Sequence, residues 1–302
     1  MWFNNLQIYR FTKPFTLNDS ALEEKLAAHT FTPCNNQQTQ SLGWVSPLGK
    51  SSSQLVHAAN GYLMVCVREQ EKLLPASVIN EQLEEKVRDI EAKEGREVYR
   101  KEKVDLKEAL IFDLLPRAFS RSRLHFAYIA PQHGYLVVNS ASASKAENLL
   151  NLLRESIGSL AVIPLTCKSL VAQSMTHWLN SGEIPAPFTL GNDCVLKDLQ
   201  EGASIRCKQY DLQADEIIAH ITSGMVVNQL QVNWKDRISC VIDDKLAIKQ
   251  LKFTDLVQED SDTQYSDDPA GQFDADFAIM TAELHAFIGD LITAFGGQAD
   301  EE

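Results

Sequence analysis

A helical pattern that loses its buried face halfway along sets the tightest limit on what this chain can fold into. From residue 77, Ile79, Leu83, Val87 and Ile90 recur at helical spacing. Between residues 91 and 103 apolar side chains almost vanish, Gly95 sits in the middle, and the stripe resumes at Leu106, Leu110, Leu114 and Leu115. A helix with so little to bury is solvated around most of its circumference. The segment therefore predicts two helices standing away from the body and meeting at a charged tip or bend. Pro116 closes it, because proline has no N–H to donate and clashes with the preceding turn. The text that follows, Arg117-Ala118-Phe119-Ser120-Arg121-Ser122-Arg123, reads as an exposed turn carrying three arginines and one large aromatic. Two readings stay open for it. The arginines could complement a helix C-terminus while Phe119 enters the core, or the turn could offer Phe119 to a partner and the arginines to phosphate.

Charge distribution bears on that choice. The 302 residues carry a net charge of −13, which at first sight argues against nucleic acid. However, no Lys or Arg follows Lys252, whereas Asp255 to Glu302 supply thirteen carboxylates. The preceding 254 residues are balanced, with 28 groups of each sign, and Arg96 to Arg123 hold eight basic and five acidic residues. A chain polarised in this way can bind a polyanion on one surface and repel it from another.

Composition is that of an ordinary soluble protein, 44% hydrophobic and 23% charged, long enough for two or three domains. No apolar run suggests a membrane span, and Met1-Trp2-Phe3-Asn4-Asn5 lacks the basic-then-apolar order of a signal peptide. Cys34, Cys66, Cys167, Cys194, Cys207 and Cys240 stand far apart with no Cys-x-x-Cys pair, so they read as reduced and structural in a cytosolic protein.

Around the arm, strands are expected at residues 6–11, 43–45 and 61–67, the last pairing with 72–74 across Glu69-Gln70-Glu71. Asn18 should cap a helix that buries Leu22 and Leu26. After the arm come a hairpin (124–129 and 135–138), a helix (142–157) and a strand (160–165). The second half predicts helices at 175–179 and 215–221, strands near 188–190 and 205–208, and two or three more between 226 and 253. A last helix, 274–295, carries the stripe Phe277, Met280, Leu284, Ile288, Leu291 and Phe295. The Asp- and Ser-rich stretch 258–271 reads as a mobile loop. The class is α+β, with residues 1–75 and 120–165 as a central region, 76–119 as the inserted arm and 166–302 as a further region.

The sequence offers no catalytic constellation. Gly49-Lys50-Ser51 lacks the first glycine of a phosphate-binding loop, since Trp44 occupies its place. Asp274 and Asp276 could hold Mg²⁺ for phosphodiester cleavage, but they also suit an N-cap and a first helical turn. Asp243-Asp244 suits a turn between strands. The seven histidines, His125 among them, show no ligand spacing, and no serine sits in a Gly-x-Ser-x-Gly elbow. No cofactor or metal is expected.

Several segments do carry a resemblance: Trp2-Phe3-x-Asn5-Leu6, Phe31-Thr32-Pro33-Cys34, Gly43-Trp44-Val45, Leu114 to Arg121, Leu152-Leu153-Arg154-x-Ser156-x-Gly158-Ser159-Leu160 and Phe273 to Phe277. Through them the whole chain resembles the bacterial recombination-associated RdgC family. The resemblance implies a horseshoe monomer with centre, helical tip and base. Two monomers would join tip to tip and base to base as a homodimer, closing a ring around duplex DNA. It further implies sequence-independent binding of double-stranded DNA, with single-stranded DNA as a second candidate ligand, and restraint of the strand-exchange recombinase. The chain is expected to be cytoplasmic and nucleoid-associated, with no membrane association and no enzymatic activity. Carried onto this chain, Phe119 is the tip contact and Lys208-Gln209 the base contact. The candidate DNA-binding cations are Arg96, Arg100, Lys101, Lys103, Arg117, Arg121, Arg123 and Lys145. Rival readings are a metal-dependent nuclease using Asp274 and Asp276, and an interaction module that acts through its acidic tail.

Overall fold

A computed structural model describes residues 1–257 and 269–299. The fold mixes helix and sheet, as an α+β class requires. It is built on two antiparallel sheets. In chain order, the elements of the first half are β1 (Gln7–Phe11), α1 (Asp19–Ala27), β2 (Gln40–Val45), β3 (Val56–Ala59), β4 (Tyr62–Leu73), α2 (Ala76–Glu94), α3 (Arg100–Leu114), β5 (Phe119–Ala130), β6 (Tyr135–Val138), α4 (Ala143–Ile157) and β7 (Val162–Pro164). Their strands form one sheet in the order β2-β4-β5-β6-β1-β7, with β3 also on β4. The second half contributes α5 (Val171–Ser181), β8 (Phe188–Lys197), β9 (Ser204–Cys207), α6 (Asp215–Thr222), β10 (Val226–Trp234), β11 (Ile238–Asp243), β12 (Ile248–Phe253) and a closing helix α7 (Pro269–Ala294). Its sheet runs β12-β11-β10-β8-β9.

The first sheet is buried on both faces, so its strands read as nearly continuous apolar runs rather than alternating ones. Tyr9, Val65, Ala127, Ile129 and Leu136 pack with Leu22 and Leu26 of α1 and with Leu149, Leu150 and Leu153 of α4. Their neighbours Ile8, Met64, Tyr128 and Val137 point the other way, into a core shared with α7 and the second sheet. Asn18 caps α1 as expected, its side chain accepting from the Ala21 N–H at 2.9 Å.

The five stripe residues of α7, and Phe295 just past its end, are buried in that shared core, and truncating one of them to alanine would cost about 2–5 kcal/mol. By length and composition α7 could cross a membrane, contrary to the expectation that no apolar run suggests a span. Here its apolar stripe lies inside the protein. The helix also starts five residues earlier than expected, which removes Asp274 from the N-cap position. The N-terminal segment ties the two sheets together. Leu6 and Ile248 exchange backbone hydrogen bonds of 2.8 and 3.0 Å, Leu251 N–H donates to Asn4 O, and Phe3 N–H donates to Met280 Sδ at 3.2 Å.

Two other expectations change. No turn interrupts residues 69–71; β4 is one strand of 12 residues. Residues 119–123 are not a turn either, since β5 begins at Phe119 and pairs with β4 from Leu73↔Phe119 to Leu63↔Ile129; only Leu115–Arg117 form a short turn. The stretches looked like turns because their side chains alternate in charge rather than in hydropathy. The expected loop 258–271 falls mainly outside the described residues. The arm itself is present: α2 packs on α3, with Ile79, Val87 and Leu110 buried on the helices and Val98 in the bend between them, and the pair is inserted between the two strands of one ladder. Gly95 ends α2 rather than continuing it, at φ 64°, a left-handed conformation glycine adopts freely.

Candidate nucleic-acid interface

The predicted residues separate into three groups. The first lies at the far end of the arm, about 28 Å along α2 from its root. Arg100, Lys101 and Lys103 are exposed on the first turn of α3, beside Tyr99, which is 74% exposed. Cations there oppose the helix dipole, which favours negative charge at an N-terminus by about 0.3–1 kcal/mol per group. Only Glu102 obeys that preference. Arg96 occupies the bend but is already engaged. Its Nε donates to Glu94 at 2.7 Å, and its two terminal nitrogens donate to Glu102 at 2.8 and 2.9 Å. In return the guanidinium holds the Glu102 carboxyl below the usual carboxylate range. Arg96 thus clasps the bend shut.

The second group lies on the ribbon where β4 and β5 leave the sheet. Strand alternation puts Phe119, Arg121, Arg123 and His125 on one face, opposite Leu73, Glu71, Glu69 and Val67 in turn. Phe119 is 83% exposed, which excludes the core reading, and Arg117 is exposed in the short turn before it. Arg123 reaches Glu71 Oε1 at 3.6 Å, so carboxylates from β4 offset part of the arginine charge. Further in, Glu69 is 9% exposed and accepts from Gln40 Nε2 at 2.6 Å, while His125 Nε2 lies 2.7 Å from its second oxygen. Lys145 of α4 lines the same small cavity as Glu69 and His125.

The third group is on the second sheet. Lys208 and Gln209 are exposed in the turn that follows β9. Gln209 adopts φ 51°, and its N–H donates to Asp193 Oδ1 at 2.9 Å. This turn shares no element with the ribbon or the arm.

Sequence reasoning missed two features. One is Tyr99, whose signal was an aromatic beside three cations in an otherwise polar stretch. The other is the acid opposite each ribbon arginine, legible once Arg68-Glu69-Gln70-Glu71-Lys72 is aligned against Ser120 to Leu124.

The rival carboxylate pair has structural partners. Asp276 receives the Met1 amine and Gln272 Nε2, and Asp274 Oδ1 lies 3.2 Å from His57 Nε2, a ring packed edge-on against Phe273 and Phe277. Among the described residues, no three His, Cys, Asp or Glu side chains gather as a metal site.

Comparison with known proteins agrees with the resemblance seen in the sequence. Residues 1–298 match the family described as "Putative exonuclease, RdgC". The chain is 49% identical over 299 residues to the recombination-associated protein RdgC of Aeromonas hydrophila, covering 99% of each chain. It is 45% identical over 302 residues to that of Tolumonas auensis, covering both chains fully. With the protein of Serratia proteamaculans, identity is 43% over 300 residues and 99% of each chain. Matches of this length and identity establish that the chain belongs to the RdgC family of recombination-associated proteins.

Proposed function

We propose that this protein binds DNA without regard to sequence and acts in homologous recombination as a ring-shaped homodimer closed around the duplex. Two horseshoe monomers would meet at a tip contact through Phe119, at the root of the helical arm, and at a base contact through Lys208-Gln209. The single observation that carries this reading is the placement of Phe119: a large aromatic, 83% exposed, at the foot of a solvated arm and on one face with Arg121 and Arg123. An exposed aromatic on one face with arginines is the composition of an interface anchor next to a phosphate-binding surface. Arg100, Lys101, Lys103, Arg117 and Lys145 extend that surface, and Arg96 supports the bend rather than reaching for phosphate. Occupying the duplex would restrain the strand-exchange recombinase by denying it substrate, and the protein would work on the nucleoid in the cytoplasm. Co-sedimentation with mixed-sequence duplexes tests the binding. A protein that ignores all of them, or prefers one sequence strongly, contradicts the proposal.

A hydrolytic reading is favoured by one finding, the family description "Putative exonuclease, RdgC". Its best candidates, Asp274 and Asp276, are the residues that hold His57 and the N-terminal amine. We therefore read the protein as non-enzymatic. Mg²⁺-dependent shortening of duplex ends that disappears in the Asp274→Asn, Asp276→Asn variant would reverse that reading.

A further inference from the structure

Cys194 of β8 and Cys207 of β9 stand directly opposite each other in an antiparallel ladder, and both are free thiols. Facing residues in such a ladder have Cα atoms about 4.5–5.5 Å apart, inside the roughly 4.4–6.8 Å that a disulfide spans. Their Cβ atoms, about 4.5–5.5 Å apart, must close slightly to reach the roughly 3.5–4.5 Å of a relaxed disulfide. β9 can yield, being an edge strand of four residues. Both residues also border a cavity of about 70 Å³, with Asp193, Arg206 and Lys208. Cys240 has no such opportunity, because β10 separates its strand from β8.

We infer that Cys194 and Cys207 form a reversible disulfide that displaces the adjoining Lys208–Gln209 turn. The effect on assembly rests on the base contact proposed above; the disulfide itself does not. The coupling is short. The turn is fastened to the two residues preceding Cys194, with Gln209 N–H on Asp193 Oδ1 at 2.9 Å and Tyr210 N–H on Asn192 O at 3.0 Å. Drawing β9 toward β8 at one rung pulls on both fastenings.

The chemistry needs an external oxidant, and hydrogen peroxide serves. Cys207 is half-buried and flanked by Arg206 and Lys208, so it is the thiol that reacts first. Burial pushes the Cys194 thiol up to about 12, aided by Cys207 and Asp193, so it stays protonated and does not compete for peroxide; its position opposite Cys207, not its acidity, makes it the resolving thiol. The Cys207 thiolate attacks the peroxide O–O bond, forming a sulfenic acid and releasing hydroxide, which takes up a proton to give water. The Cys194 sulfur then attacks the Cys207 sulfur. The S–S bond forms, the S–O bond breaks, and the Cys194 proton leaves with that oxygen as the second water. A bond closed against the ladder's own spacing is strained and readily reduced.

The test treats the full chain with hydrogen peroxide, then maps peptides without reduction and measures self-association. The expected result is a peptide joining Cys194 to Cys207, absent in Cys207→Ser and cleared by dithiothreitol. Self-association of the oxidised protein should weaken about tenfold, while Cys207→Ser is indifferent to peroxide. Over-oxidation of Cys207 with no linked peptide, or bridges only between chains, overturns the inference. A linked peptide with unchanged association keeps the disulfide and rejects its coupling to the turn. Association unaffected by Lys208→Ala and Gln209→Ala rejects the base contact instead.

Discussion

Leu73 and Phe119 face each other as the last rung of the β4–β5 ladder, and neither is covered, at 43% and 83% exposure. The rung marks where the sheet ends and the arm begins. Phe119→Ala removes contacts with solvent rather than with a core. We expect a stability change within about 0.5 kcal/mol, as for other surface substitutions. Self-association should weaken by about 2 kcal/mol or more, as for an interface anchor. Thermal melting and sedimentation velocity read the two effects separately. A loss of the 3–5 kcal/mol expected of a core phenylalanine, with association intact, would return Phe119 to the interior.

Glu69 lies four rungs in from that end of the ladder and accepts from Gln40 while pairing with His125. Glu69→Ala strands both partners in a poorly solvated site, so it should destabilise the fold by about 1–3 kcal/mol. The denaturant midpoint should fall with the slope unchanged. An unaltered midpoint would show that the network is dispensable.

The arm's cations differ in availability. If about six phosphates are engaged, log K should fall against log salt with a slope near −5. Replacing Arg100, Lys101 and Lys103 together by alanine should flatten that slope by about 3, close to one unit per phosphate released. Arg96→Ala should change it little and should instead loosen the bend, because Glu94 and Glu102 already occupy the guanidinium. Equal salt effects from Arg96 and from each of the other three would contradict this division.

Two histidines give the fold an acid limit. Burial lowers the His57 pKa against the opposing pull of Asp274, and burial together with His133, stacked at 3.8 Å, lowers that of His285. Tyr135 Oη also faces His285, at 3.1 Å from Nδ1, and Arg10 lines the same cavity. Because both folded-state values are depressed, the unfolded chain binds more protons in the window below its ordinary value near 6.5. Stability is therefore complete above that value and lost as pH falls through it toward the folded values. Melting temperature should drop between pH 7 and pH 5.5, and His285→Asn should blunt the drop. A melting temperature that rises on acidification over this range would refute the assignment.

Much of the architecture was legible because periodicity changes sharply along the chain. The stripe of α7, the solvated arm and the Asn18 cap each follow from spacing or from one side chain's chemistry. The outer halves of β4 and β5 were hidden. Paired charges and serines look like turn text until the partner strand is known, and register is not written in either strand alone. The start of α7 was misplaced because Asp274 has the chemistry of a cap while serving His57. Gly43 shows the same limit: a Cβ there would collide with the Phe31 backbone, a contact between distant segments that no local pattern announces. Of the candidate site, composition marked the cations, but only geometry separated Arg96, held in a clasp, from Arg100, Lys101 and Lys103.

The central claim, a closed ring on duplex DNA, is tested most directly by comparing retention on covalently closed circular DNA with retention on the same DNA made linear, as salt is raised. A ring slides off free ends but not off a circle. The account predicts that complexes on circles outlast those on linear DNA at moderate salt, and that Phe119→Ala erases the difference while leaving binding to linear DNA in place. Equal retention on both forms by the native protein would contradict it.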